Sequence, residues 1–411
     1  MYVVESKAGA IVCMLFSIIF LGTWPAVINL LERRGRHPQH TYIDDSITSL
    51  LAATIIALTL GQIGDINPDM PSFTSQLFQN NWSCVLFAMA GGVFQGLGNV
   101  STQFSWAFVG LSATEVITSS IAVAIGTTMN YFLDERINKA SILFIGVGCF
   151  LTAVFLGAAV HCSNATDNEA KLSSLPDTYT EKARVIKISG FQSVSPNKDG
   201  LKEFELGTIP IEKAKLGTAE FLIQLENRRA IKVFGKRKLL GLGIAFFAGV
   251  CFSLDSPAFN LATNDHWHMM KKGIPHLVVY NALFYFSASC SITSIVLNLS
   301  FLYHPILNLP RSSLRAYLND WNGRGLAILS GLLCGFGNCL HFIAGQAAGY
   351  AAADSVQALP IVSTLWAIFL FGEYRRSSKR TYVLLGSMLA MFSAATGFLM
   401  GSSGHRKPMS M

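Results

Sequence analysis

The chain has 411 residues, of which 51% are apolar and only 13% are charged. Soluble proteins of this length carry about a quarter charged residues, so the composition excludes an ordinary soluble domain. The formal net charge of +7 would also suit a nucleic-acid-binding protein. The basic residues, however, lie at the ends of apolar segments, where they orient a chain in a membrane and recruit no nucleic acid.

Ten apolar runs of about 19 to 26 residues follow one another, each long enough to cross about 30 Å of hydrocarbon as a helix. The first run lacks a small-residue cleavage site and is too long for a signal-peptide core, which predicts a retained first span. The prediction is an all-α polytopic membrane protein with spans at residues 9–31, 46–64, 83–105, 110–133, 140–160, 239–262, 277–302, 325–346, 349–371 and 380–400.

The loops between these spans alternate between two sides of the membrane. An even number of spans puts both termini on one side, called side A, and the loop after the first span on the other, called side B. Outside the long central segment, side B holds ten Lys and Arg residues against seven on side A. The positive-inside rule then predicts that side B is cytosolic and that both termini lie outside, with the plasma membrane as the expected location.

One long polar segment, residues 161–238, divides the chain into a first membrane half (1–160) and a second (239–400), followed by a short tail (401–411). Its mixed charges, serines and prolines, with few aromatic residues, predict a largely disordered cytosolic linker.

Two short patterns stand out within this linker. Residues 218–229 place apolar side chains on one helical face, which predicts a short amphipathic helix on the membrane surface. Residues 230–237 have the x4-G-K core of a phosphate-binding loop, with Gly235 and Lys236. They carry Ala for the first glycine and Arg237 where Ser or Thr should bind Mg²⁺. A basic anchor on anionic lipid explains this run better than a nucleotide site.

A pattern of three glycines, an asparagine and an acid occurs once in each half. The first copy is Gly92, Gly96, Gly98, Asn99 and Glu115, and the second copy, at a constant offset, is Gly331, Gly335, Gly337, Asn338 and Asp354. The glycine spacing is typical of closely packed membrane helices. Because each half has an odd number of spans, the second half enters the bilayer from the opposite side. This predicts two inverted five-helix repeats around a central polar site.

The acids of these patterns are the first candidates for chemistry. Only Glu115, Asp255 and Asp354, among 24 acidic residues, lie in the predicted spans, and the one Lys or Arg within their bounds is Arg380, the first residue of the last span. An unpaired charge there costs about 2.5–3.5 kcal/mol, so burial favours the protonated form and suits the loading and release of protons. The alternative is a permanently protonated acid that only bonds neighbouring helices. Asp255 has no counterpart in the first half.

Amides and aromatic residues near the acids are candidates for substrate binding. Amides offer both donors and acceptors to a neutral heterocycle, and aromatic rings can stack on it. The alternative is hydrogen bonding between helices and, for tryptophan, anchoring at the interface. For His341, a structural histidine and a proton relay fit equally well. The candidates are Asn99, Gln103, Trp106, Asn338, His341, Gln346 and Gln357.

Long strings of this sequence resemble the plant ureide permease family. They include FLGTWPA in the first span, VGLSATEVITSSI around Glu115, LPRSSLRAYLNDWNGRG from Leu309, and GQAAGYAAADSVQALP around Asp354. The resemblance covers nearly the whole chain. It implies a layout like the drug/metabolite transporter superfamily and proton-coupled uptake of allantoin, uracil and related oxo-heterocycles. The family's Walker A-like motif corresponds to Ala230–Arg237, which departs at its last position.

The expected function is therefore a secondary transporter that imports ureides with protons by alternating access. The expected partners are a small heterocycle, protons and the lipid bilayer, without nucleic acid, cofactor or metal; the oligomeric state is left open. One alternative is a passive facilitator or channel for small polar solutes, and another is a nucleotide-regulated carrier. An enzyme is not expected, because the sequence shows no nucleophile–base pair and no cluster of metal ligands.

Overall fold

A computed structural model describes residues 2–63, 71–173, 215–231, 238–265, 267, 269, 275–307 and 309–404. Within these ranges the chain is helical, and ten helices are long and apolar enough to cross a membrane, as predicted. They are α1 (Lys7–Arg33), α2 (Pro38–Thr59), α3 (Trp82–Val109), α4 (Leu111–Leu133), α5 (Ala140–Ser173), α6 (Lys238–Thr263), α7 (Val279–Tyr303), α8 (Arg324–Ala348), α9 (Tyr350–Phe369) and α10 (Lys379–Gly401).

Two tight joints, one in each half, are built from glycine. Gly110 separates α3 from α4 with φ +93° and ψ +163°, and Gly349 separates α8 from α9 with φ +90° and ψ +137°. L-residues rarely adopt these angles, whereas glycine does so at little cost. Each pair of helices therefore turns within a single residue, at equivalent places in the two copies of the sequence pattern.

Packing partners are exchanged between the halves. In one set of contacts, α1 and α2 both pack on α8. In the corresponding set, α6 and α7 both pack on α3. The last helices of the two halves, α5 and α10, pack on each other. Adding or subtracting five from each helix number converts one set of contacts into the other. Such an exchange supports the predicted repeat; its inverted direction stays a prediction.

The repeated glycines bring helices into close contact. Gly92 of α3 lies against the backbone of Phe286 on α7, and Gly331 of α8 lies against the backbone of Asp45 on α2. A side chain at either position would clash with that backbone. Both glycines therefore allow the close approach of helices that their spacing predicts.

The second span differs from the prediction of residues 46–64. Helix α2 begins at Pro38, whose fixed φ suits a first turn, and ends at Thr59. Its first two turns contain Asp44 and Asp45, which hydropathy alone assigns to a loop. These carboxylates are accepted in the helix because both are buried and hydrogen-bonded within the protein.

The predicted linker also begins later than residue 161, because α5 continues to Ser173. Asp167 on this extension accepts hydrogen bonds from Ser378 N (2.9 Å) and Thr381 Oγ1 (2.7 Å) at the start of α10. Lys171 Nζ donates to Arg375 O (3.1 Å), and Gly217 lies against the same Arg375 backbone. The two ends of the interval 174–214 therefore meet at one point on side B.

The described end of the linker, residues 215–231, contains the predicted short helix as Ala219–Arg228, capped by the Thr218 hydroxyl. The segment lies against the protein and is not only a surface helix, because Arg229 and Ile231 are buried.

Candidate functional site

Two groups of buried polar side chains, each containing two acids, lie at opposite ends of the bundle. The side-B cluster comprises Trp24, Asp45, Trp106, Glu115 and Ser330. The side-A cluster comprises Asn130, Asp255, Ser256, Asn260, His341 and Asp354. All four acids in these groups are no more than 5% exposed. Among the described residues, none of the four forms an ion pair with Lys or Arg.

In the side-B cluster, each of two carboxyl groups accepts a bond from a tryptophan. Trp24 Nε1 donates to Asp45 Oδ1 (3.0 Å), which also accepts from Ser330 Oγ (2.7 Å). Trp106 Nε1 donates to Glu115 Oε1 (2.6 Å). The two indole rings meet edge to face with centroids 5.7 Å apart. The cluster thus joins α1, α2, α3, α4 and α8 around two acids held by neutral donors.

In the side-A cluster, Asn130 is the centre of the hydrogen bonding. Its Nδ2 donates to Asp354 Oδ2 (3.0 Å) and Ser256 Oγ (2.9 Å), and its Oδ1 accepts from Asn260 Nδ2 (3.2 Å). His341 Nε2 lies 3.6 Å from Asp354 Oδ1. Asp255 precedes Ser256 and accepts a bond from the Ser256 backbone N–H. Asn130 therefore bonds Asp354 directly and is linked to Asp255 through Ser256.

Glu115 and Asp354 do not share one site. Asp354 is bonded to Asn130, which lies on α4 about 22 Å along the helix from Glu115 at 1.5 Å per residue. The sequence predicts a single central polar site; the structure places the two acids in separate clusters. Related positions in two halves of opposite direction would end up at opposite ends of the bundle in this way.

The helices that carry the side-A cluster are irregular near its acids. Helix α9 changes from α-helical to 3₁₀ geometry at Asp354–Ala358, and Pro360 then begins the next α-helical part. Helix α4 contains a π-helical stretch at Val123–Thr127, one turn before Asn130. Such interruptions free backbone groups inside the membrane and are common where transporters bind substrates and ions.

A family model described as ureide permease matches residues 41–402. The chain is 64% identical over 407 residues to Ureide permease 2 of Arabidopsis thaliana, covering 99% of this chain and 100% of that one. It is 60% identical over 413 residues to Ureide permease 1 of the same plant, with the same shares of each chain. The chain belongs to the ureide permease family. It is a membrane transporter and not an enzyme.

Acidic residues missed by the sequence reasoning lie on side B of this permease. The sequence places only three acids in spans, but Glu32, Asp44 and Asp45 are also buried within helices. The count was wrong because hydropathy started the second span too late. Asp45 could have been identified from its position relative to Trp24 in the sequence, but only if the packing of α1 on α2 had been known.

Asp44, unlike Asp45, has cationic partners. Its Oδ2 pairs with Arg36 Nη2 (2.7 Å) and Arg324 Nε (3.2 Å), and its Oδ1 accepts from Tyr317 OH (2.8 Å). Burial and the bond to Asp44 raise the pKa of Tyr317 to about 12, so its hydroxyl stays a donor. Asp44 therefore has a structural role in joining α2 to the loop before α8.

The linker segment lies across the side-B ends of α1 and α3, a region called the side-B mouth below. Arg229 donates from Nε to Glu32 Oε1 (3.2 Å) and from Nη2 to Glu32 Oε2 (3.1 Å). Its Nη1 also donates to Ala107 O (3.2 Å), and Ile231 N donates to Glu32 Oε1 (2.9 Å). Residues 229–231 thus connect the side-B ends of α1 and α3. Of the phosphate-loop-like motif only Ala230 and Ile231 are described; Gly235 and Lys236 lie outside the described residues.

The remaining predicted site residues are divided among the two clusters and the space between them. Gln346 Nε2 donates weakly to Asn264 Oδ1 (3.5 Å) and its Oε1 accepts from Tyr350 OH (3.2 Å), which extends the side-A cluster. Asn338 Nδ2 contacts Cys334 Sγ (3.6 Å), and Gln357 is half-buried in the 3₁₀ stretch. Asn99 and Gln103 lie one turn apart on α3, toward side B.

Proposed function

We propose that this permease imports ureides and related oxo-heterocycles, such as allantoin and uracil, together with protons by alternating access. The observation that carries the proposal is Asp354, a buried acid at a break in α9 with an amide and an imidazole as its neighbours. The Asn130 amide donates to one carboxyl oxygen and the imidazole of His341 lies beside the other, so both carboxyl oxygens have a polar neighbour inside the protein.

Alternating access needs a polar site that can open at either end of the bundle, and the two clusters are proposed to provide it. Each contains carboxyl groups without a Lys or Arg partner among the described residues, and each joins helices from both halves. Rocking of one half against the other would expose one cluster while enclosing the other. Glu115 and Asp354 are the proposed proton-binding groups, and Asp255, linked through Ser256 to the asparagine that bonds Asp354, is a third. Side B is proposed to face the cytosol, with the protein in the plasma membrane.

Uptake by purified protein in liposomes tests the coupling. Labelled allantoin should accumulate above its outside concentration when the lumen is more alkaline than the medium, and a protonophore should abolish this accumulation. Equilibration without accumulation, unaffected by the protonophore, would instead show a passive facilitator with permanently protonated acids. Competition by unlabelled uracil then tests the breadth of the substrate class.

A nucleotide-regulated carrier makes a different prediction in the same liposomes. Uptake would respond to ATP on side B, and Lys236→Ala would remove the response. We expect no response to ATP and unchanged uptake by this variant, because the motif lacks the hydroxyl side chain that binds Mg²⁺.

A further inference from the structure

A small cavity lies beneath the side-B mouth, between α1, α2 and α3. Its lining combines two aromatic rings with two buried amides, and Glu32 borders it on the mouth side: Asn29, Glu32, Tyr42, Gln103 and Trp106. As described, the cavity has room for about one water molecule. Glu32 is also the residue with which Arg229 pairs, so the linker segment contacts one residue of this lining.

Three oxygen atoms on the cavity lining have no hydrogen-bond partner among the described residues: Asn29 Oδ1, Gln103 Oε1 and the Tyr42 hydroxyl. The hydroxyl can donate as well as accept, whereas the two amide oxygens can only accept. Both amide side chains are almost wholly buried, with 1% and 4% of their surface exposed. Leaving a buried acceptor unsatisfied costs on the order of 1–3 kcal/mol. Such atoms therefore need either water or a ligand.

The orientation of the Gln103 amide follows from its neighbours. Asn298 Nδ2 donates to the Ser294 carbonyl (2.8 Å), so Asn298 Oδ1 faces Gln103 and accepts from its Nε2 (3.3 Å). The oxygen of Gln103 is thus the atom left for the cavity, where it can only accept a hydrogen bond. Asn29, on the same lining, has a second amide oxygen without a partner.

We infer that Asn29 and Gln103 bind the N–H groups of the transported molecule and so select compounds that contain a ureido unit. In a cyclic –NH–CO–NH– unit the two N–H donors diverge on either side of the carbonyl, so each can reach a different acceptor, and the rings of Tyr42 and Trp106 line the space beside them. The inference rests on the proposed function and identifies this cavity as the site that binds the transported molecule. Because the cavity is now too small for such a molecule, binding requires the cavity to widen.

Competition between two hydantoins tests the inference. Hydantoin has both ring N–H groups, and 1,3-dimethylhydantoin has neither. Hydantoin should compete with labelled allantoin in liposomes containing the unaltered permease, and the dimethyl compound should not. Gln103→Leu and Asn29→Leu remove one acceptor each, so the KM for allantoin should rise about tenfold in each with an unchanged maximal rate. Gln95→Leu, at a buried glutamine of the same helix that does not line the cavity, is the matched control and should leave the KM unchanged.

The outcomes separate the inference from the proposed function. No allantoin uptake by the unaltered protein would refute the proposed function itself. Normal uptake and discrimination, with the same KM in both cavity variants, would overturn the binding site in this cavity. Asn29→Cys gives a second measure if a leucine variant does not fold. Hydantoin should slow its alkylation by N-ethylmaleimide several-fold, and equal rates with and without hydantoin would also overturn the inference.

Discussion

Arg229 and Glu32, 197 residues apart in the chain, form a bidentate ion pair in which two arginine nitrogens donate to the two carboxylate oxygens. Both side chains are buried. Removing one member of such a pair leaves a buried charge without its partner, which is costly, whereas an exposed arginine contributes little. The pair therefore fixes the described end of the linker to the first and third helices.

Arg229→Ala should release residues 215–231 from the mouth. We expect destabilisation on the order of 3 kcal/mol, seen as a lower melting temperature and faster hydrogen exchange in this segment. The neighbouring Arg228 is exposed, and Arg228→Ala is the matched control that should change neither. Equal exchange rates in the two variants would show that the ion pair does not hold the segment.

Glu115→Gln and Asp354→Asn should each impair proton-driven accumulation of allantoin by at least about tenfold, while the protein stays folded. The amides can still accept from Trp106 Nε1 and Asn130 Nδ2, so the hydrogen bonds survive while the exchangeable proton is lost. Uptake is measured in liposomes at several outside pH values. If both variants accumulate substrate with an unchanged pH dependence, neither acid carries the coupled proton.

Two substitutions of Asp45 separate the effect of its hydrogen bonds from the effect of its charge. Asp45→Ala leaves Trp24 Nε1 and Ser330 Oγ without their acceptor, and each loss costs on the order of 1–3 kcal/mol. Asp45→Asn keeps an acceptor oxygen. We expect the alanine variant to melt at a clearly lower temperature than the asparagine variant in detergent. A similar melting temperature for both would mean that these bonds do not stabilise the fold.

The glycine joints should tolerate no side chain. Gly110→Ala and Gly349→Ala force an L-residue into angles that cost on the order of 1–3 kcal/mol. Gly386→Ala is the matched control, because Gly386 lies within α10 with open space around it, where alanine favours the helix. Thermal unfolding of the three purified variants should place the two joint variants below the control. Equal melting temperatures would show that the joints relax freely.

A native cysteine can test which side of the membrane faces the cytosol. Cys162 is the exposed one of the eight cysteines and lies near the side-B end of α5. A membrane-impermeant maleimide should label it in permeabilised cells but not in intact ones. Cys162→Ser should abolish the labelling. Labelling of intact cells would place side B outside and reverse the predicted orientation.

Hydropathy predicted most of the fold because lipid requires long apolar helices whatever the sequence does elsewhere. It failed where buried polar residues have hydrogen-bond partners inside the protein. At the start of α2, for example, Asp44 and Asp45 accept hydrogen bonds from residues far away in the sequence. The repeat found Glu115 and Asp354 and, through the span assignment, Asp255. It could not find Asp45, Asn130 or Asn29, because their partners are brought together only by packing. Nor could spacing along the chain show that the two acids belong to separate clusters.

Lys171 and Gly217 touch the same residue, Arg375, so the two described ends of the connection between the membrane halves are held at one place. Because both ends are held by the folded halves at Arg375, their separation does not depend on the number of residues between them. The contacts with Arg375 therefore set the distance between the two ends of this connection.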